Sequence, residues 1–421
     1  MLALDRSLSL LRVFSLPIAL RVLGACLAYF VVILVVDFYG VERGGNYFSL
    51  MALWVLLCGV GKFGLDTLSL KYVAAEEETS KHSVARFFIG LSVRRLCCYM
   101  LFLIGLGLVL GATGYLASQS GLSDIWWYAV IACPFSVMVF VVSSCQQGEG
   151  YISLSVFANG VLISLFFIVL LALLSSYADY ESLYVFATVA AAIVSIGIFL
   201  FSQRKKIALP VAIDMGVVNK ASLFLTIGTL IALLNVWLGQ IVVSAAFTDY
   251  DETIYGVGDR TSKLFMILLV AVNAVIAPRI SRFWRTGDID ALRLMIKQSV
   301  AGLSLLGLLM FCIVVLLSDF IVSMFDLSGS LPVRVLLILC AGQLANMMTG
   351  PSVFLLTMTG HEKSLMLIQG AGLCFLLLLL SLMAVYGVVG VAIAQSLAVA
   401  LFNIICLWYG FRMLRMRRKN V

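Results

Sequence analysis

The chain is 421 residues long, 63% hydrophobic and only 12% charged, with a mean hydropathy of +1.12. A soluble domain is about half apolar and a quarter charged, so this composition excludes one and predicts an all-α polytopic membrane protein. The formal net charge of +7 is gathered in a few connections between apolar stretches, a mark of membrane topology rather than of nucleic-acid binding.

A spanning helix needs about 20 mostly apolar residues, and about 12 such windows follow one another along the chain. The first, near 13–36, contains Pro17 and Arg21; no secretory leader pattern stands apart before it, so it is expected to remain as a spanning helix. The second, 47–71, contains Lys62 and Asp66 in the run GKFGLD. Windows 87–112, 126–145, 153–175 and 183–202 complete a first set of six, with Pro134 inside the fourth. The polar stretch QRKKIALPVAIDMGVVNKAS at 203–222 is a natural midpoint. The second set is 222–246, 262–282, 298–318, 333–358, 364–386 and 388–411, with Pro278 and Pro351 placed inside helices and bends expected at both. The expected domains are therefore 1–202, a six-helix bundle; 203–221, a cytoplasmic linker; and 222–421, a second six-helix bundle.

Most of the 28 Lys and Arg fall in alternate connections, at 71–95, 204–220, 279–297 and 412–419. The excess of Lys and Arg on cytoplasmic loops then predicts both termini inside. The opposite connections carry acids, as in TDYDE at 248–252, and Trp126, Trp127, Tyr128, Tyr177, Tyr180 and Tyr184 fall where an outer aromatic belt would be. Each half has a Tyr-Gly-Val before its second spanning window, at 39–41 and 255–257, a weak sign of duplication. Parallel repeats of this kind place a substrate path in a central cavity between two bundles.

The ten cysteines lack any CxxC spacing or nearby His and read as small hydrophobes. His82 and His361 fall in polar connections, so neither a metal nor a catalytic His site is expected. Charged side chains inside spanning helices cost about 2.5–3.5 kcal/mol on insertion scales and normally face a bundle interior or a watery cavity. Arg21, Lys62 and Asp66 meet that description, Asp66 being the one clearly intramembrane acid, and Arg260 and Lys263 fall at the outer mouth of the eighth window. For Lys62 and Asp66, four residues apart on one helix face, two readings stay open: an ion pair that neutralises itself, or a cation lining a substrate cavity and tuned by its neighbour. Arg21 could equally snorkel to the interface. Arg279 reads as a topology and phospholipid anchor. Asn235, Gln240, Asn273, Gln343 and Asn346 interrupt apolar helices, where such groups mostly bond to other helices.

The ordered set YGVERGGNYFSLMAL (39–53), GKFGLDTLSLKYVA (61–74), TIYGVGDRTSKLF (253–265), NAVIAPRISRFWRTGDIDAL (273–292), GQLANMMTGPSVFLLTMTGHEKS (342–364) and VYGVVGVAIAQS (385–396) resembles the Wzx-type oligosaccharide flippases of the multidrug/oligosaccharidyl-lipid/polysaccharide exporter superfamily. Gln240 and the QQGEGY run depart from that pattern, since relatives often have an Asp near the former and a basic residue in the latter. The resemblance implies a flippase of the bacterial inner membrane that moves a polyprenol-diphosphate-linked oligosaccharide, an O-antigen or other surface-polysaccharide unit, by alternating access. It implies no cofactor and no metal, and contact with membrane lipid, a polysaccharide polymerase and chain-length proteins but not nucleic acid. Arg21, Lys62, Asp66, Arg260 and Lys263 are then the expected substrate-binding residues. The alternative is a cation-coupled multidrug antiporter of the same superfamily, which would want more acids in its central helices. A membrane enzyme such as a polymerase or ligase would be expected to show a large outer loop with catalytic residues.

Overall fold

A computed structural model describes residues 2–76, 80–112, 122–203 and 213–419. Every regular element among them is helical, the form in which a segment satisfies its own backbone groups in hydrocarbon. Among the described residues, ten stretches are long and apolar enough to cross a membrane, and one of them, Lys363–Arg417, contains two helices joined at a short 3-10 turn, Ala384–Tyr386. The more charged helix Asp249–Thr286 lies outside the ten.

The chain divides into two compact units: Met1–Gly40 with Asn46–Leu233, and Val41–Gly45 with Leu234–Val421. The division falls inside a continuous helix, Met215–Ala246, rather than in the stretch 203–221, of which residues 204–212 lie outside the described residues.

The first unit is built from α1 (Leu2–Tyr39), α2 (Val41–Gly61, its first turn counted with the second unit), α3 (Leu65–Ala75), α4 (Lys81–Ala112), α5 (Leu122–Gly148), α6 (Ile152–Gly160), α7 (Leu162–Leu174), α8 (Tyr180–Gln203) and the start of α9 (Met215–Ala246). Helix α5 is its centre, packed on α3, α4, α6 and α8. Small side chains let these backbones approach: Val139, Ala158, Leu162, Ala191 and Ala192 form one buried cluster. Tyr180 and Tyr184 belong to the interior and not to an outer belt. They meet the rings of Tyr39, Tyr47, Trp54 and Phe167 edge-on, a geometry that aromatic quadrupoles favour. Tyr177 is exposed, as expected, whereas Trp126 is buried.

The second unit holds the rest of α9, then α10 (Asp249–Thr286), α11 (Ile289–Leu316), α12 (Ser318–Ser323), α13 (Ser330–Met348), α14 (Ser352–Met358), α15 (Glu362–Met383) and α16 (Gly387–Lys419). Here α13 is central, packed on α10, α11 and α16. Gly342 allows its contact with α16, because a Cβ there would lie 2.8 Å from both Cα and Cβ of Ser396. In each unit, then, the fourth spanning segment packs on at least three of the others.

Three windows that read as single helices are broken. The second parts at Lys62–Gly64, the fifth at Val161 and the tenth at Thr349–Pro351. Pro351 therefore starts α14 instead of bending a helix interior, behind Gly350 at φ +61°, a left-handed turn that glycine makes without strain. The Tyr-Gly-Val correspondence also fails locally: Gly40, φ +87°, separates α1 from α2, while Tyr255 to Val257 lie within α10. The junction matching Gly40 is Phe247-Thr248, where the Thr248 hydroxyl accepts from Asp251 N and caps α10.

Candidate functional site

Lys62 is the last residue of the α2 turn; its backbone N–H closes on Cys58 O and that of Phe63 on Val60 O. The chain then turns left-handed through Phe63, φ +50°, and Gly64, φ +64°, before α3 begins. Asp66 lies in the first turn of α3 and its Oδ1 accepts from Thr67 N at 2.9 Å. Lys62 Nζ meets Asp66 Oδ2 at 2.8 Å, the two side chains being 18% and 23% exposed. The break explains the pair. A helix C-terminus favours a cation and an N-terminus favours an anion, each by about 0.3–1 kcal/mol or more where burial reduces screening, and Lys62 and Asp66 occupy those two ends. Phe140 of α5 adds its ring face, with Lys62 Nζ 4.9 Å from the centroid.

A left-handed Phe costs of order 1 kcal/mol or more, and a buttress holds it. The Ser222 hydroxyl of α9 donates to Phe63 O. Arg95 of α4 donates to Ser222 Oγ at 2.6 Å and to Asn219 Oδ1 at 2.7 Å, with its guanidinium 5.8 Å from the Phe63 ring centroid. Tyr99 meets the same ring edge-on at 5.6 Å. Gly64 packs so closely that a Cβ would lie 2.5 Å from Leu225 Cβ. All of these residues belong to the first unit.

In the second unit, Asp259 and Lys263 form an ion pair one turn apart on an unbroken helix. Arg260 and Lys263 are expected where a helix starts near 262; α10 instead begins at Asp249, so Lys263 is fourteen residues, or about 21 Å at 1.5 Å each, into it. The side chains of Asp259 and Lys263 are 11% and 22% exposed. Lys263 Nζ stands 4.1 Å from the centroid of Trp237 and Arg260 Cζ 5.9 Å from it, so both cations share one ring. Asp259, Ser262 and Lys263 line a pocket with Asn235, Gln343, Gln395 and Ser396.

The structure thus brings Lys62 to Asp66 and sets Arg260 with Lys263 around Trp237, while Arg21 is exposed on α1 in the first unit. Arg279 is exposed as well. Asp66 is not the sole acid away from solvent: Glu252 is 2% exposed and accepts from Gln240 Nε2 at 3.2 Å, and Asp259 is buried too. Asn235 bonds across helices, Nδ2 to Gln369 O at 3.2 Å, whereas Asn346 donates within its own helix to Gln343. His82, read as a loop residue, is buried at the start of α4 with Nδ1 2.7 Å from Glu149 Oε1. Glu149 belongs to QQGEGY, so the residue that departs from the family pattern there has its own partner.

Sequence reasoning missed Arg95, Ser222, Trp237 and Gln395. Arg95 reads as one more cytoplasmic cation; the doubled glycine of GKFG, a helix end inside an apolar run, was the available signal for a break needing support. Asp249, the first residue of α10, has its pKa raised by burial and then by the nearby Glu42 carboxylate. Among the described residues, no group of three or more His, Cys, Asp or Glu could hold a metal ion.

No protein-family profile matches the sequence, and no curated protein matches it. Solved structures do. The fold is similar to that of an inward-facing multidrug-resistance MATE family transporter of the MOP superfamily, with a TM-score of 0.73 at 13% identity over 94% of this chain and 95% of that one. An outward-facing transporter of that family gives 0.68 at 13% identity over 97% and 96%. The lipid II flippase MurJ in its inward closed conformation gives 0.69 at 14% identity over 94% and 87%. The chain therefore shares its all-helical fold with these transporters, and with ten apolar stretches long enough to span a bilayer among its described residues it is a multi-pass membrane protein.

Proposed function

We propose that the chain is a flippase that carries polyprenol-diphosphate-linked oligosaccharide across the bacterial cytoplasmic membrane by alternating access, with both of its termini inside. The observation that carries this reading is Lys62. It stands at a helix break within an apolar segment, held by the C-terminal end of α2 and by Asp66, yet part of its side chain is exposed. A diphosphate cannot cross hydrocarbon unaided. A lysine offers it a compact point charge, and an arginine a planar fork for phosphate oxygens. On this reading Lys62 draws the diphosphate, Asp66 tunes it, and Arg21 and Arg260 are further cations on the substrate's way.

The likeness in fold to a lipid II flippase supports a lipid-linked substrate, and the likeness to both inward-facing and outward-facing transporters supports alternating access. Chemistry speaks against a drug-cation antiporter at these two acids: Asp66 and Asp259 are each paired with a lysine, so a cationic drug would have to displace an ammonium from either. The test is reconstitution in liposomes with fluorescent lipid-linked oligosaccharide, scored by protection of the glycan from an impermeant reagent. Transbilayer movement that depends on the protein is expected. Accumulation of ethidium with no movement of the glycan would replace this reading with the antiporter.

A further inference from the structure

We infer that the pocket of the second unit is a saccharide subsite, taking one uncharged sugar ring of the cargo; this rests on the lipid-linked glycan reading above. Lys263 already donates to Asp259 and lies over Trp237, so the one cation and the one anion lining the pocket cancel. A phosphate would have to compete with a carboxylate for the ammonium, and a cationic ligand with an ammonium for the carboxylate. A hydrocarbon tail would leave the amides and hydroxyls of the wall unmatched, which costs about 1–3 kcal/mol for each polar group so buried.

What the wall does match is a neutral group that both gives and accepts hydrogen bonds. Ser262 and Ser396 direct their hydroxyl protons to Asp259 O at 2.8 Å and Ile338 O at 2.9 Å, which leaves their oxygens as acceptors. Gln343 takes Asn346 Nδ2 on its Oε1 at 3.1 Å, which leaves the two protons of its Nε2 as the donor side of the amide. Lys263 has three protons and one carboxylate partner here. Gln395 donates to Asn235 O at 2.7 Å across helices and so fixes the wall between them. Leu339, Met266 and Val399 supply apolar surface beside these groups. Ring hydroxyls that donate to serine oxygens and accept from amide and ammonium, with C–H faces on the aliphatic side chains, satisfy every part of that lining.

The experiment uses the lipid-linked oligosaccharide that accumulates in cells lacking this protein, the glycan released from it by mild acid, and the bare polyprenyl diphosphate, each titrated calorimetrically into the full chain in nanodiscs. Gln343→Ala and Ser262→Ala are compared with the parent, each first shown to melt at the parent's temperature within a few degrees. Both should bind the intact carrier and the released glycan about tenfold more weakly, the scale of one to two lost hydrogen bonds, while binding the bare diphosphate as the parent does. Equal weakening towards the bare diphosphate, or unchanged affinity for the glycan in the variants, would overturn the subsite. Parent protein that binds the released glycan through Gln343 and Ser262 but neither carrier would keep the subsite and remove the flippase reading. Parent protein that binds both carriers with equal affinity and no released glycan would do the reverse.

Discussion

Two acid–lysine pairs one turn apart, Lys62–Asp66 and Asp259–Lys263, look alike on paper and are held by different physics. The first straddles a helix break, so each charge faces a helix end of the opposite sign, and the acid comes second. The second lies within a continuous helix with the acid first, the better order for such a pair, but with no helix end to help it; it relies on its own attraction and on Trp237. A cation that the backbone itself stabilises can be shared with a passing anion. A cation that depends on one carboxylate cannot, and this is why the binding charge is assigned to Lys62 and the neutral pocket to Lys263.

The largest expected effect follows from that dependence. Asp259→Ala leaves Lys263 mostly buried without its carboxylate, and breaking a buried pair by removing one partner costs about 3–5 kcal/mol. A steep fall in melting temperature in detergent is expected, largely restored by adding Lys263→Met. Next comes Gly64→Ala, which must hold a left-handed backbone and press its Cβ on Leu225; a loss of about 2 kcal/mol is expected by the same melt, from strain and crowding together. Asp66→Ala should cost less, about 1 kcal/mol, because the end of α2 still stabilises Lys62. If Asp66→Ala proved as costly as Asp259→Ala, the distinction between the two pairs would fail.

The smallest effect concerns a first-turn acid whose neighbour is another acid. Asp249 begins α10 with Glu42 nearby and has a raised pKa. Since its folded pKa lies above the unfolded one, its protonated form favours the fold, and stability is lost as pH rises through the folded pKa. Asp249→Asn should therefore melt slightly above the parent at pH 7, with the difference closing below about pH 4, where the unfolded carboxyl is protonated as well. A variant that melts lower at pH 7 would show that the helix start outweighs burial and Glu42.

Much of this was legible from apolar length alone. The windows located the spanning segments because a bilayer imposes one length on all of them, and the Lys62–Asp66 spacing showed the pair because helix neighbours recur every three to four residues. The break at Lys62–Gly64 was not legible by hydropathy, which does not register that Phe63 and Gly64 turn left-handed; its support by Arg95 and Ser222 comes from α4 and α9, distant in sequence. The same blindness put Lys263 and Asp259 at a helix mouth. The charges of TDYDE and Asp259 lower the hydropathy of α10's first half, and a hydropathy window cannot tell a charged helix buried against α13 from a solvated connection. Tyr180 and Tyr184 misled for a related reason, since a tyrosine beside an apolar run serves an interface or a core equally well.

The assignment of the binding charge to Lys62 is tested most directly by replacing Lys62 and Asp66 together with leucine, and measuring surface glycan in cells that lack the native gene, normalised to transporter in the membrane. Exchanging a buried pair for apolar residues is often neutral for folding, so the double variant should insert in normal amount and deliver no glycan. Lys62→Glu should deliver less than Lys62→Ala, because repulsion of the diphosphate is added to the lost attraction. Normal surface glycan from the double leucine variant would contradict the account, leaving the pair at the helix break as structure only.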